Sequence, residues 1–334
     1  MAHRRELDED DVRVRPGRGS RPRSKERPQH AGAFPAAVTA VDRGRYTCRL
    51  LDGSGEVTAM KARELGRMSV VVGDRVDLVG DVSGATGSLA RVVRVQPRAS
   101  VLRRSADDSD PVERVIVANA TQLVVVTSVA QPEPRSRLVD RCLVAAYDAG
   151  LKPLLVITKT DLGEPGPLLS GYVPLGVTHV LTRRTASGIG GLDELWARLH
   201  GQVSVLVGHS GVGKSTLVNE IVPGTARVTG AVNAVTGRGR HTSTSAVALQ
   251  LPDASGWVVD TPGVRSFGLA HVDLRRVVHA FADLEPGTQT CPRSCSHDEP
   301  ECGLDQWVAA GHADPVRLDS LRRLLRARER DAGD

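Results

Sequence analysis

The stretch that decides the fold is Gly208-His209-Ser210-Gly211-Val212-Gly213-Lys214-Ser215. It follows the apolar, strand-like run Val203 to Val207 and precedes the helix-like run Thr216 to Ile221. Glycines in such a loop let backbone N–H groups curl around a phosphate, and the helix N-terminus adds its positive end. Lys214 can reach the β- and γ-phosphates, and the hydroxyl of Ser215 can ligate Mg²⁺. We expect this loop, with Thr216, to hold a nucleoside triphosphate.

A metal-binding motif, Asp260-Thr261-Pro262-Gly263, closes the run Trp257-Val258-Val259 further along the chain. The Asp260 carboxylate is expected to hold the Mg²⁺ shell together with Ser215. The Gly263 N–H is expected to contact the γ-phosphate. Asp-Thr-Pro-Gly alone is a common turn. The phosphate loop earlier in the chain is what favours its interpretation as a metal-binding motif.

A third motif, Thr158-Lys159-Thr160-Asp161, resembles the guanine-recognition sequence Asn-Lys-x-Asp. Asp161 can accept hydrogen bonds from guanine N1–H and the 2-amino group, which adenine lacks. The stem of Lys159 would lie along the base, and Thr158 departs from the usual Asn. Thr182 is a weaker candidate for the loop behind the base. The motif precedes the phosphate loop, the reverse of the ordinary order, and this predicts a circularly permuted GTP-binding domain.

Charge and apolar content vary along the 334 residues, which carry a net charge of +5. Residues 1–35 read as a disordered basic arm, because Arg and Lys alternate there with Pro and Gly. The arm could touch phosphate backbones, and a merely solvated terminus remains the alternative. No apolar run is long enough to span a bilayer, and none near Met1 resembles a signal peptide. We therefore expect a cytoplasmic protein with no membrane partner, as a monomer.

Residues 36–98 alternate apolar and polar positions in short runs separated by glycine turns. Such spacing predicts a small antiparallel barrel. An OB-fold, a common platform for single-stranded RNA, fits this length, and a plain barrel without an RNA role stays possible. Residues 99–270 instead alternate buried strands with helix-length segments, which predicts a parallel α/β sheet. Its predicted strands are Gln122–Thr127, Pro153–Ile157, His179–Leu181, Val203–Val207 and Trp257–Val259.

The last segment, residues 271–334, is predicted to be mainly helical and to bind zinc. Three thiols and an imidazole fall close together, at Cys291, Cys295, His297 and Cys302. They make a closed tetrahedral Zn²⁺ set, and in a cytosolic protein such spacing favours metal over disulfides. An Arg-rich amphipathic helix follows, with Val316, Leu318, Leu321, Leu324 and Leu325 broadly on one side.

These motifs resemble the RsgA (YjeQ) family of ribosome small-subunit-dependent GTPases. Besides the permuted motifs and the Cys/His cluster, the resemblance rests on Ala118-Asn119, Gly239-Arg240-His241-Thr242-Ser243-Thr244 and the continuation of the metal motif to Phe267. It runs from about residue 36 to the C-terminus. It implies a multidomain α/β chain: an N-terminal OB-fold β-barrel, a circularly permuted P-loop G domain and a small zinc-binding C-terminal domain.

The resemblance also implies a function and a catalytic group. It implies late maturation of the small ribosomal subunit, binding to that subunit and its rRNA, and hydrolysis of GTP to GDP and phosphate stimulated by the subunit. Val264 stands where many GTPases place a water-orienting Gln, and valine cannot orient water. By resemblance, His241 is the candidate replacement and Thr242 the candidate contact to γ-phosphate and Mg²⁺, with Lys214 as the third catalytic group.

Two other classes of function remain open at this level. A P-loop ATPase or kinase would share the phosphate loop, although Asp161 and the absence of any substrate domain speak against it. A nucleotide-gated rRNA-binding scaffold with negligible hydrolysis is compatible with Val264.

Overall fold

The structure is a computed structural model that describes residue 30 and residues 32–104, 114–224, 246–261, 269 and 272–327. Of the residues named above, residues 1–29 and 31 of the basic arm, the segment 239–244 with His241 and Thr242, and residues 262–267 with Gly263 and Val264 lie outside these ranges. Within them, no helix is both long and apolar enough to cross a lipid bilayer.

The N-terminal part is a five-stranded barrel, as the sequence predicts. Its strands are β1 (Phe34–Asp42), β2 (Arg45–Leu50), β3 (Glu56–Lys61), β4 (Arg75–Gly80) and β5 (Ala90–Val95). The order is β1-β2-β3-β5-β4, and β1 closes the barrel by pairing with β4. The expectation of a purely antiparallel barrel is wrong in one place, because β3 and β5 run parallel. Parallel neighbours need a crossover connection, and here β4 and the loops on either side of it provide the return path.

The alternation read from the sequence corresponds to the two faces of this barrel. Along β2, Tyr46, Cys48 and Leu50 are buried, whereas the residues between them are partly exposed. Successive side chains of a strand point to opposite faces, so one set fills the barrel and the other faces outward. The interior is thus a core of its own, completed by residues such as Val57 and Leu78.

A hairpin and the central sheet follow the barrel. The remaining strands are β6 (Val101–Arg104), β7 (Arg114–Ala118), β8 (Gln122–Ser128), β9 (Lys152–Thr158), β10 (Thr178–Leu181), β11 (Arg183–Thr185), β12 (Gly188–Gly190), β13 (Val203–Gly208), β14 (Val247–Gln250) and β15 (Trp257–Asp260). The central sheet has the order β10-β9-β8-β13-β15-β14. All five strands predicted for it are present and parallel, and β14 is an antiparallel addition.

Helices cover both faces of the central sheet. They are α1 (Ser136–Asp148), α2 (Gly166–Leu169), α3 (Leu192–Leu199), α4 (Lys214–Ile221), α5 (Leu274–His279), α6 (Gly303–Ala309) and α7 (Pro315–Arg326), with 3₁₀ turns at Arg63–Leu65 and Glu285–Thr290. In β8, Leu123 and Val125 join the core that contains α1 and α7, whereas Val124 and Val126 join the core that contains α3 and α4. Burial on both faces explains why these strands read as continuous apolar runs.

The C-terminal helix α7 packs into the same core as α1. Leu318, Leu321, Leu324 and Leu325 are buried as their spacing predicts, but Val316 is 55% exposed. Val316 lies in the first turn, where the carboxylate of Asp314 caps the helix by accepting from its N–H at 2.8 Å. The buried stripe therefore begins at Leu318, two residues later than the sequence suggests.

Candidate functional site

The phosphate loop lies between the end of β13 and the start of α4. Gly211 and Gly213 have φ of 84° and 96°, a left-handed conformation that glycine adopts without a steric penalty. At Gly208 a Cβ would fall 2.4 Å from the carbonyl oxygen of Val126, so a side chain is excluded there. The first residue of α4 is Lys214, which places the N-terminal N–H groups of the helix at the loop. This is the strand, loop and helix arrangement that the motif requires.

Lys214 and Asp260 meet at the carboxyl end of neighbouring strands. The Lys214 Nζ lies 2.8 Å from Asp260 Oδ1, and both side chains are largely buried. Asp260 ends β15, which pairs with the phosphate-loop strand, so that Asp260 lies opposite Leu206. The hydroxyl of Thr261 donates to the Leu206 carbonyl oxygen at 2.9 Å and fixes the chain directly after Asp260. The cation predicted for the phosphates and the carboxylate predicted for Mg²⁺ therefore share one pocket.

Thr158 ends β9, and its side chain is directed to the back of the phosphate loop. It is 4% exposed, and its hydroxyl lies 2.6 Å from the carbonyl oxygen of Val212. The same hydroxyl lies 3.1 Å from the Thr127 carbonyl oxygen on the neighbouring strand. Contact between Thr158 and the nucleotide itself stays a prediction.

Lys159 also joins the two motifs. Its backbone has φ of 58°, and its Nζ donates to the carbonyl oxygens of Gln131 and, at 2.9 Å, Gly211. The stem of Lys159 consequently spans from the guanine motif to the phosphate loop. No role was predicted for residues 129–132 from the sequence, because these residues contribute to the site through backbone carbonyl oxygens. Pro132, four residues after the end of the buried strand β8, is the local sequence signal there.

The side chain of Asp161 is exposed, and a backbone N–H group holds its carboxylate in place. Its Oδ1 accepts from the Arg184 backbone N–H at 2.9 Å, and this hydrogen bond lowers the pKa of the Asp161 carboxyl. Thr160 donates to the carbonyl oxygen of Thr182 through its backbone N–H, at 3.2 Å, and through its hydroxyl, at 3.3 Å. The carboxylate is thus held ionised, the form that accepts from two guanine donors. Thr182 lies directly behind the motif, where the sequence places the backing loop.

The four zinc-ligand candidates converge in space. Their ligand atoms all lie within 4.8 Å of one another. The Cys291 and Cys302 sulfurs are 3.8 Å apart, and His297 Nδ1 is 3.6 and 3.7 Å from them. A tetrahedral ion with Zn–S of about 2.3 Å and Zn–N of about 2.0 Å separates two sulfurs by roughly 3.8 Å, and a sulfur from a nitrogen by roughly 3.5 Å. The residues therefore fit zinc.

The surroundings of this cluster hold its ligands in place. The His297 carbonyl oxygen accepts from Arg322 Nε at 2.7 Å, while the other guanidinium nitrogens of Arg322 bind Asp305 at 2.7 and 2.9 Å. Burial lowers the pKa of His297, which favours the neutral imidazole that binds metals. The three thiols and the imidazole together supply all four ligands of a tetrahedral ion. No coordination position is left open for a substrate, so the site is suited to a structural role.

A protein-family model described as RsgA GTPase matches residues 95–270. A relative from Chromohalobacter salexigens, named small ribosomal subunit biogenesis GTPase RsgA, is 38% identical over 265 residues, which are 77% of this chain and 74% of the relative. A relative of the same name from Pseudomonas syringae pv. syringae is 35% identical over 289 residues, or 83% and 81% of the two chains.

Two solved structures share the architecture. YjeQ from Thermotoga maritima aligns over 89% of this chain and 99% of its own, with a TM-score of 0.64 and 27% sequence identity. YloQ, described as a circularly permuted GTPase, aligns over 90% and 96%, with a TM-score of 0.62 and 20% identity, a level that supports the fold alone. The permuted order predicted from the three motifs is therefore confirmed.

Proposed function

This chain belongs to the RsgA GTPase family, and from that premise we propose that it binds the small ribosomal subunit, assists its late maturation and hydrolyses GTP when the subunit stimulates it. The curated relatives are named for biogenesis of that subunit. The observation that carries the proposal is the convergence of the shuffled motifs. Lys159 of the guanine motif donates to Gly211 of the phosphate loop, and Lys214 of that loop pairs with Asp260.

Each part of this site has a task in binding GTP. The backbone N–H groups from Gly208 to Thr216 would surround the phosphates, with Lys214 close to the β- and γ-phosphates. Asp161 would accept from the guanine edge, and Lys159 would line the base. Ser215 and Asp260 would hold Mg²⁺, which neutralises charge on the β- and γ-phosphate oxygens when bound. Lys214 must move from Asp260 toward the phosphates as the nucleotide enters.

The group that orients the attacking water is proposed from the resemblance. Val264 has no donor or acceptor on its side chain, so His241 is the candidate, with Thr242 at the γ-phosphate and Mg²⁺ and the Gly263 N–H at the γ-phosphate. GTPases that lack a catalytic element turn over slowly, at roughly 10⁻⁴ to 10⁻² per second. We expect such a rate for this protein alone. His241→Ala should remove most of the increase caused by small subunits, and an unchanged stimulated rate would exclude His241.

The barrel supplies the surface that we propose for rRNA. Arginines are exposed around it, at Arg43, Arg45, Arg63, Arg67, Arg75, Arg91 and Arg94. An open groove of about 450 Å³ between Arg45 and the loop from Gly84 to Leu89 is lined mainly by polar atoms. Cationic side chains beside a polar groove suit a phosphate backbone. We also propose that the protein is a monomer in the cytoplasm and that ribosomal subunits are its partners there.

A GTPase assay with purified small subunits, large subunits and neither tests the proposal. We expect small subunits alone to raise turnover. A rate that no subunit changes would contradict the proposal and favour a nucleotide-gated rRNA-binding scaffold. Competition between nucleotides is the second arm, because ATP that displaces GTP equally well would favour a P-loop ATPase and contradict a guanine pocket. The predicted division into an arm (1–35), an RNA-binding barrel (36–98), a GTPase domain (99–270) and a zinc-binding domain (271–334) belongs to the same proposal, except that the barrel begins at Phe34, the first residue of β1.

A further inference from the structure

In the part of the chain that the structure describes, the barrel meets the GTPase segment at the end of β7 and again at β14 and β15, and the first of these contacts is packed tightly. Gly73, with φ of 87°, lies against Ala118, where a Cβ would fall 2.0 Å from the carbonyl oxygen. The Asn119 amide donates to the Gly73 carbonyl oxygen at 2.8 Å. Beside them, Arg98 binds the fully buried carboxylate of Asp74 through two nitrogens, at 2.7 and 2.8 Å. The close backbone contact of Gly73 with Ala118 and the Asn119 hydrogen bond make this attachment a fixed point, and the Arg98–Asp74 pair inside the barrel segment holds the neighbouring turn in place.

The second attachment is sparse. Strand β1 closes the barrel with its first residues, Phe34 to Ala37, and then carries a bulge between Val38 and Ala40. Among the described residues, its backbone pairing with β14 beyond the bulge is the single pair Ala40 and Val247, and nearby the Arg49 guanidinium on β2 lies 5.8 Å from the centre of the Trp257 ring on β15. By contrast, β14 and β15 pair at four positions. A bulge bends a strand, and here the bend takes β1 from one sheet to the next.

This single pair leads directly to the proposed metal ligand. Val247 is the cross-strand partner of Ala40 on one side and of Asp260 on the other. The three residues therefore occupy one row across three neighbouring strands. With strands about 4.8 Å apart, Ala40 is roughly 10 Å from Asp260 along that row. Residues directly opposite one another share a face of the sheet, so Val247 stands between the barrel strand and the carboxylate.

We propose that the Ala40–Val247 pair is a positioning element of the nucleotide site, through which RNA bound to the barrel adjusts Asp260 and thereby the rate of GTP hydrolysis. The inference rests on the proposed function and adds a route to it. The attachment at Gly73 and Asn119 acts as the pivot, and the one-pair seam is where the barrel shifts against β14.

A reversible cross-link tests the seam. Paired residues of an antiparallel ladder have Cα atoms about 4.5–5.5 Å apart, within the range of a disulfide. In the full-length double variant Ala40→Cys/Val247→Cys, oxidation should lower the ratio of subunit-stimulated to unstimulated turnover by on the order of five-fold. Reduction of the same protein should restore it. The matched control is Thr47→Cys/Thr58→Cys, a cross-strand pair between β2 and β3 inside the barrel, whose oxidation should leave the ratio unchanged.

Several results would overturn the inference. One is an unchanged ratio when mass spectrometry shows complete cross-linking at the seam, and another is an equal loss in the control. The wild-type protein separates this from failure of the proposed function, because a wild-type ratio of one removes both. Should the cysteine variant fail to fold, hydrogen exchange in the wild-type protein decides. Binding of small subunits should slow exchange of the β14 amides, and exchange unaffected by the subunit refutes the seam.

Discussion

The hydroxyl of Thr158 lies 2.6 Å from the carbonyl oxygen of Val212, across the boundary between the guanine motif and the phosphate loop. The Thr127 carbonyl oxygen, at 3.1 Å, is the second acceptor within reach. A hydroxyl has one proton to donate, and the shorter distance favours Val212. One buried side chain thus ties the base half of the site to the phosphate half. The guanine-recognition motif usually has Asn at this position. Here Thr158 replaces it, and its hydroxyl supports the phosphate loop through the Val212 carbonyl oxygen.

Thr158→Val is expected to weaken nucleotide binding. The side chain keeps its shape, but the Val212 carbonyl oxygen loses its donor, at a cost of about 1–3 kcal/mol. If half of this reaches the binding step, GDP affinity falls by roughly tenfold or less. Fluorescent-nucleotide titration measures the loss, and Thr158→Ser, which keeps the hydroxyl, should bind like the wild type. Equal affinity in all three proteins would show that the hydroxyl does not support the loop.

Asp161→Asn should change the base that the site prefers. Its NH₂ group would face the 2-amino group of guanine, so two donors would oppose each other, and GTP affinity should fall by one to two orders of magnitude. Xanthine has a carbonyl at that position, which an asparagine NH₂ can satisfy. Competition between GTP, xanthosine triphosphate and ATP measures the exchange. A uniform loss for all three nucleotides would place Asp161 outside the base pocket.

Lys214→Met should destabilise the protein as well as abolish GTP binding. It leaves the Asp260 carboxylate, which is 3% exposed, without the cation at 2.8 Å. Removing one partner of a buried pair costs up to about 3–5 kcal/mol. Lys214→Met/Asp260→Asn removes the buried charge too and should recover part of that stability, still without binding GTP. Urea unfolding compares the two variants, and a double variant less stable than the single one would contradict this account.

The local sequence identified the strands that are buried on both faces, because an uninterrupted apolar run such as Leu123 to Val126 is typical of a strand that is covered by helices on both sides. It did not identify β14, whose four residues are all only partly buried, so that its identity depends on distant partners. It also did not identify β3, although β3 is as long as β2. Asn119 shows the same limit. Its amide binds Gly73, 46 residues earlier, and nothing near Ala118-Asn119 in the sequence reveals that contact. The sequence therefore predicted the motifs, but it did not predict the contacts that connect distant segments in the folded chain.

Asp140 on α1 should give the stability of the protein a distinctive pH dependence. Burial raises the pKa of its carboxyl, against the attraction of Arg323, whose Nε lies 3.3 Å away. The folded state then holds a proton that the unfolded state has lost, from the ordinary aspartate pKa of about 3.9 up to the raised value. The Asp140 contribution to folding therefore falls as pH rises through that window.

Asp140→Asn removes this contribution. Relative to the variant, the wild type should gain stability as the pH is lowered from 7 towards 4, in urea unfolding followed by circular dichroism. Asp52→Asn on the barrel is the matched control of opposite sign, because hydrogen bonds from Ser54 lower the pKa of that carboxyl. The wild type should lose stability relative to Asp52→Asn on acidification. Parallel pH profiles for the wild type and Asp140→Asn would show that Asp140 does not titrate in this way.

Cys295→Ser should lower the zinc content of the purified protein, which we expect to be one ion per chain. Zinc bound by three thiolates and one imidazole contributes directly to folding, so the variant or a chelator should also lower the unfolding temperature. Cys48→Ala is the matched control. Cys48 is fully buried in the barrel, and its loss should lower stability without changing metal content. Wild-type protein that contains no stoichiometric zinc by elemental analysis would remove the site.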